Sequence, residues 1–207
     1  MKKEGLFIKV ILLITVLLAS ACAKQEGTYY FPMSDGARWE YSSKTCREGN
    51  CKKGTMISLI DGEETINGKK YYKMVTVVGE ALEQTINHNR KTKEGVYRIS
   101  GKHKDKPEQL VLPFPFTVGK MWTYQPYEPF LATNEMRVAG KETLFLDDKK
   151  YENCFKISLT SVVEEGAWKG VEILGTAYYA PNVGMVKQIL LFPSSATQEL
   201  TLNKYEP

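Results

Sequence analysis

Apolar side chains recur at every second position along much of the chain, the period of a strand with one buried face. Phe155, Ile157 and Leu159 alternate with Lys156, Ser158 and Thr160. Tyr72, Met74, Thr76 and Val78 alternate with Tyr71, Lys73, Val75 and Val77, a strand covered on both faces. Val171, Ile173, Gly175, Ala177 and Tyr179 share one side of another. Turn residues separate these runs: Asp61-Gly62, Asn67-Gly68, Gly79-Glu80, Asp147-Asp148 and Pro181-Asn182-Val183-Gly184. After residue 22 no stretch carries a capped stripe of helical period. The expected fold is all-β, about twelve antiparallel strands in a strongly curved or barrel-like sheet.

A repeated motif divides the chain. Phe31-Pro32-Met33-Ser34-Asp35-Gly36-Ala37-Arg38-Trp39-Glu40-Tyr41 matches Phe114-Pro115-Phe116-Thr117-Val118-Gly119-Lys120-Met121-Trp122-Thr123-Tyr124, five fixed residue types at an offset of 83. Lys69-Lys70-Tyr71 echoes Lys149-Lys150-Tyr151, and Gly95-Val96-Tyr97-Arg98 loosely echoes Gly184-Met185-Val186-Lys187, in the same order. An ordered set of echoes points to duplication, so residues 29–207 are read as one β domain of two related halves, 29–108 and 109–207. In the motif, Pro denies a ladder donor, Gly allows a bend, and Trp and Tyr two apart face one side of the next strand. Trp39, Tyr41, Trp122 and Tyr124 are therefore core anchors or, alternatively, an aromatic ligand platform. As core anchors, the two Trp should occupy equivalent buried sites, each near its own Tyr71 or Tyr151 strand. Both Phe-Pro segments should meet the sheet at corresponding edges.

The N-terminus reads as an address. Lys2, Lys3 and Lys9 precede an apolar run from Val10 to Leu18, then Ala19-Ser20-Ala21-Cys22. The 12 residues from Val10 to Ala21 are too few to span a bilayer, which needs about 20, so residues 1–21 are expected to be a signal peptide. Ala19-x-Ala21 suits ordinary signal peptidase. Leu17 to Cys22 resembles a bacterial lipobox, with Ala19 where Leu is usual. That resemblance implies a multi-chain lipid on Cys22, a tether over 22–28, and anchorage in the cell envelope. In a Gram-negative cell, Ala23 after the cysteine resembles lipoproteins sent to the outer membrane, facing the periplasm or the surface.

Tyr179-Ala180-Pro181-Asn182-Val183-Gly184-Met185-Val186-Lys187, with the motif at residues 31–41, resembles a loose family of uncharacterised bacterial envelope lipoproteins. Here Met33 replaces a usual Leu and Asn182 a usual Gly. The resemblance implies a curved antiparallel architecture and an envelope compartment, and carries no activity with it.

Without the first nine residues the chain has 25 basic and 23 acidic side chains, a near-neutral balance that offers no field for nucleic acid. The two histidines, His88 at what reads as an exposed strand end and His103 in a basic loop, fit no metal spacing, and no C-x-x-C or phosphate-loop motif occurs. No metal or cofactor is expected. Glu63-Glu64, Asp147-Asp148 and Glu164-Glu165 lie in turn-like sequence and read as solvated acids. Arg90 to Lys93 and Lys102 to Lys106 read as a solvated linker or, alternatively, an anionic-lipid contact. Pro126, Tyr127 and Pro129 mark an aromatic loop that reads as a plug at one end of the sheet or, alternatively, as a lid or partner contact. Cys46 and Cys51 flank a short Gly-Asn turn, so a disulfide across a hairpin is expected, and Cys154 is left over. Three functions remain. The first is a non-enzymatic envelope lipoprotein that binds a partner protein or supports cell-surface assembly. The second is a carrier of a lipid or other apolar ligand inside the sheet. The third is a hydrolase of envelope polymers, needing acids such as Asp35, Glu40 and Glu142 to converge.

Overall fold

The computed structural model describes residues 28–79, 83–127 and 131–207. The expected signal peptide, Cys22, most of the expected tether and Pro129 lie outside the described residues. Twelve strands run in chain order: β1 (Arg38–Arg47), β2 (Asn50–Ile66), β3 (Lys69–Val78), β4 (Glu83–Lys91), β5 (Gly95–Ser100), β6 (Gln109–Pro113), β7 (Met121–Tyr124), β8 (Ala132–Leu146), β9 (Lys149–Val163), β10 (Glu172–Ala180), β11 (Gly184–Leu191) and β12 (Thr197–Glu206). All pairings are antiparallel between neighbours in sequence, with one addition: β1 also pairs with β12. The spatial order is therefore β6-β5-β4-β3-β2-β1-β12-β11-β10-β9-β8-β7, an all-β, nearly closed barrel. Its open seam lies between β6 and β7, the shortest two strands, at mid-sequence rather than at the termini.

Turn chemistry accounts for the hairpins. Asn67-Gly68 holds φ of 50° and 74°, and Glu48-Gly49 holds 51° and 82°, the left-handed pair whose twist matches antiparallel strands. The β1–β2 turn thus centres on Glu48-Gly49, one residue before the expected Gly-Asn. Asp61-Gly62 is not a turn. It is a bulge inside the 17-residue β2, where the register with β3 slips between Ile60 and Glu63. A glycine at positive φ serves a bulge as well as a turn. Glu63 and Glu64 accordingly sit in a strand rather than in turn sequence.

The two Phe-Pro motifs are bonded alike. Gly36 N–H donates to Ile60 O at 3.0 Å, Ile60 N–H to Ala37 O, and Ala37 N–H to Ser34 O. Gly119 N–H donates to Val138 O at 2.8 Å, Val138 N–H to Lys120 O, and Lys120 N–H to Thr117 O. Gly36 and Gly119 share φ of 82° and 91°. A bulge follows each bonded residue, after Ile60 in β2 and after Val138 in β8. One other expectation fails. Phe31-Pro32 leads into β1, paired on both sides, whereas Phe114-Pro115 leads into edge strand β7. Each Trp does cluster with its own strand as expected, Trp39 with Tyr72 and Met74 of β3 and Trp122 with Phe155 and Ile157 of β9. Trp39 also meets Tyr151, and Tyr71 itself packs apart with Ile66 and Ile99. A strand at the seam has lost the neighbour that β1 keeps.

Cys46 and Cys51 face each other across the β1–β2 hairpin and form a disulfide. The pair sits near an exposed tip, so Cys46→Ser is expected to cost no more than about 2 kcal/mol, the chain-entropy value for so short a loop. Urea titration of oxidised and reduced protein reads this directly. Cys154 is free and buried among Leu146, Ala180 and Tyr151. Burial pushes its thiol up to about 11, so it is a poor nucleophile.

Candidate functional site

The barrel is not filled by its own side chains. Two cavities of about 290 and 280 Å³ lie inside it and share Asn87, Arg98, Tyr124, Leu159 and Gln188 as wall. The first opens toward the end where connections leave β5 and β7: His103, Lys106 and Pro107 come from one, Pro126 and Tyr127 from the other. The rings of His103 and Tyr127 are 5.7 Å apart, so the two connections meet across the seam. The second cavity lies at the opposite end under Phe31 and Pro32.

The deeper chamber owes its character to strand alternation. Met56, Met74, Met136 and Met185 line it together with Trp39 and Tyr41. Methionine is flexible and polarisable, so such a wall adapts to an apolar guest. Trp39 Nε1 donates to Val183 O at 2.6 Å and the Tyr41 hydroxyl to Met185 O at 2.9 Å. These aromatics combine two roles set against each other in sequence: their polar ends are spent on backbone, and their faces wall a chamber. Tyr124 also lines both cavities. Trp122 is half-buried and lines neither; its Nε1 donates to Val111 O at 3.0 Å, a side-chain stitch across the seam.

The outer cavity has the greater number of polar side chains in its wall. Ser100 Oγ and Asn134 Oδ1 are buried in its wall with no hydrogen-bond partner. Arg98 Nε donates to Asn89 Oδ1 at 2.9 Å, and among the described residues no carboxylate pairs with Arg98. Neither cavity wall contains an Asp or Glu. Tyr179, in the deeper chamber, is pushed up to about 12 by burial and by Tyr124, against a lowering by Arg98, so its phenol stays protonated.

The acids weighed for hydrolysis are engaged separately. Asp35 Oδ1 accepts from Gly62 N–H, Glu40 pairs with Arg38, and Glu142 lies opposite Cys154 in the β8–β9 register. Among the described residues no group of His, Cys, Asp and Glu is arranged to hold a metal ion. His88 is only 1% exposed, contrary to the exposed strand end expected of it. Lys73 and Ile99 flank it in register, and its Nε2 meets Glu64, which Lys104 clamps from the 101–108 connection. Burial lowers its pKa despite Glu64, so it is held neutral. Arg90 is likewise no solvated linker, since Glu108 accepts from its Nη2 at 2.7 Å and from its Nε at 3.2 Å. Lys69 and Tyr71 bind the same carboxylate at 2.7 and 2.6 Å. The 101–108 connection is thus pinned by Lys104 and Glu108 to the outside of the barrel while it supplies the cavity mouth.

Sequence reasoning missed Arg98 and carried a cavity only as part of the alternative carrier reading. The available signal was Arg98 and Ser100 in phase with buried Val96, polar residues on a strand's inward side.

No protein-family model matches the chain, and no curated protein does. Among solved structures the fold is similar to a protein with a YmcC-like fold from Bacteroides fragilis, provisionally assigned as exported. The TM-score is 0.55 at 13% identity, covering 86% of this chain and 99% of that one. It is equally similar to a protein provisionally assigned as a lipoprotein from Parabacteroides distasonis, TM-score 0.55 at 12% identity, covering 88% and 100%. At these identities the likeness is one of fold.

Proposed function

We propose that this chain is a lipid-anchored envelope protein whose barrel takes up an apolar or amphipathic molecule, as a binder or carrier rather than an enzyme. The carrying observation is the methionine- and aromatic-lined chamber continuous with a mouth. The paired cavities fall within the size of small-molecule sites, roughly 300 to 1,000 Å³. The lipobox-like Leu17 to Cys22 supports the anchor, and the two proteins of similar fold, one provisionally exported and one provisionally a lipoprotein, are in keeping with it. Partner binding becomes the second reading, on one observation: Leu174 and Leu191 are register partners, both exposed on the barrel, with Trp168 exposed as well.

Uptake of the uncharged dye N-phenylnaphthylamine tests the carrier reading on the full chain carrying Cys22→Ser, which cannot be lipidated. A saturable fluorescence rise is expected, abolished by Met74→Trp, which fills the chamber. Absence of saturable uptake, together with no lipid in a solvent extract of the purified protein, would sink the reading.

A further inference from the structure

We propose that Arg98 receives an anionic headgroup: the barrel holds a single-chain amphiphile ending in a carboxylate or phosphate, its chain in the methionine chamber. This rests on the carrier reading and adds the ligand's charge and orientation.

Several cations elsewhere on the sheet pair with carboxylates. Arg90 pairs with Glu108, Arg38 with Glu40, Lys73 with Asp61 and Lys187 with Glu199. Arg98 departs from that pattern inside the barrel, where a neutral amide, Asn89, is its hydrogen-bond partner. A part-buried guanidinium with no carboxylate beside it offers charge-assisted hydrogen bonds to an anion arriving with the ligand. Its position suits the task, because Arg98 lines both cavities and so stands at their junction. Ser100 follows two residues along β5 on the same face, and Asn87 is its register partner on β4. The Ser100 hydroxyl has no partner, and Asn134, across the seam on β8, carries an unpartnered amide oxygen that a half-turn would exchange for its NH₂. Both are more than nine-tenths buried in the cavity wall. Farther out, His103 and Lys106 line the mouth, so the path inward carries basic groups and no carboxylate. Residue placement thus orients the guest: the four methionines line only the second cavity, and the donors stand at the junction and toward the mouth.

Displacement of N-phenylnaphthylamine from the full Cys22→Ser chain by dodecanoate, dodecyl phosphate and dodecanol tests this. The chain length is constant and only the head changes. At least one anion is expected to compete about tenfold or more better than the alcohol, as charge-assisted hydrogen bonds require. Whichever anion is stronger separates a carboxylate from a phosphate site. Arg98→Gln should erase the preference, read as the ratio of anion to dodecanol displacement constants on that variant, whatever its own affinity for the dye. Equal competition by all three on the unaltered Arg98 protein overturns the inference and leaves the carrier reading intact. Persistence of the anion preference in Arg98→Gln overturns it as well. Failure of the dye itself to bind counts against the carrier reading instead.

Discussion

Replacing Trp39 by alanine is expected to lower the unfolding free energy by about 3 to 5 kcal/mol, the range for large aromatic truncations in a core. The indole is 4% exposed, stacks on Tyr205 with centroids 5.3 Å apart, and packs against Gly184. Its N–H is committed to Val183 O, so truncation also leaves a carbonyl without its donor. Trp122→Ala should cost less, about 1 to 2 kcal/mol, since that ring is half-buried on a strand paired only with β8. Urea midpoints of the two variants measure the difference. Equal midpoints would mean that the two motifs are energetically alike despite the seam.

Glu108→Gln is the second large effect, about 3 kcal/mol, because it leaves Arg90 and Lys69 facing a neutral amide. Burial alone would raise the Glu108 carboxyl. Hydrogen bonds from Arg90, Lys69 and Tyr71 outweigh it and bring the carboxyl down to about 2. A folded-state pKa below the unfolded value means stability that is complete above pH 4.5 and lost as pH falls from there toward 2. At 1.36 kcal/mol per pKa unit, that loss is also about 3 kcal/mol. The groups facing the carboxylate are Lys69 and Tyr71 from β3 and Arg90 from β4, with Tyr97 of β5 nearby. Thermal melts between pH 5 and 2 should show the fall in the native protein and a shallower one in Glu108→Gln. Parallel curves would assign the acid sensitivity elsewhere. Because the 101–108 connection also forms the mouth, this variant should exchange N-phenylnaphthylamine faster.

Strand class was legible because one-sided burial leaves a period of two in residues such as Phe155, Ile157 and Leu159, and the Cys46–Cys51 hairpin followed from spacing. Local chemistry was less decisive where one residue type serves two geometries. Gly62 reads as a turn and is a bulge, because both need positive φ. The seam had no local signature, since whether β12 meets β1 or β6 meets β7 depends on closure across the whole sheet. Arg98 was hidden in Gly95-Val96-Tyr97-Arg98-Ile99-Ser100, where Tyr97 and Ile99 make the opposite face equally apolar. His88 was misjudged because its cover comes from Glu64 and Lys104, 24 and 16 positions away in sequence.

Strand direction settles which way the molecule looks. The chain arrives at β1 from Thr28–Tyr30 at the end bearing both Phe-Pro connections, and the mouth formed by His103, Lys106 and Tyr127 is at the other. Seven residues from Cys22 to Thr28 reach roughly 25 Å at full extension. A tilted strand of 15 residues such as β9 spans about 40 Å of barrel height. A lipid on Cys22 would therefore hold the barrel by its Phe-Pro end, with His103, Lys106 and Tyr127 at the far end. A guest would then arrive from, or leave toward, the aqueous compartment or an opposing surface. Lateral withdrawal from the leaflet that carries the anchor would be blocked by the barrel's own length.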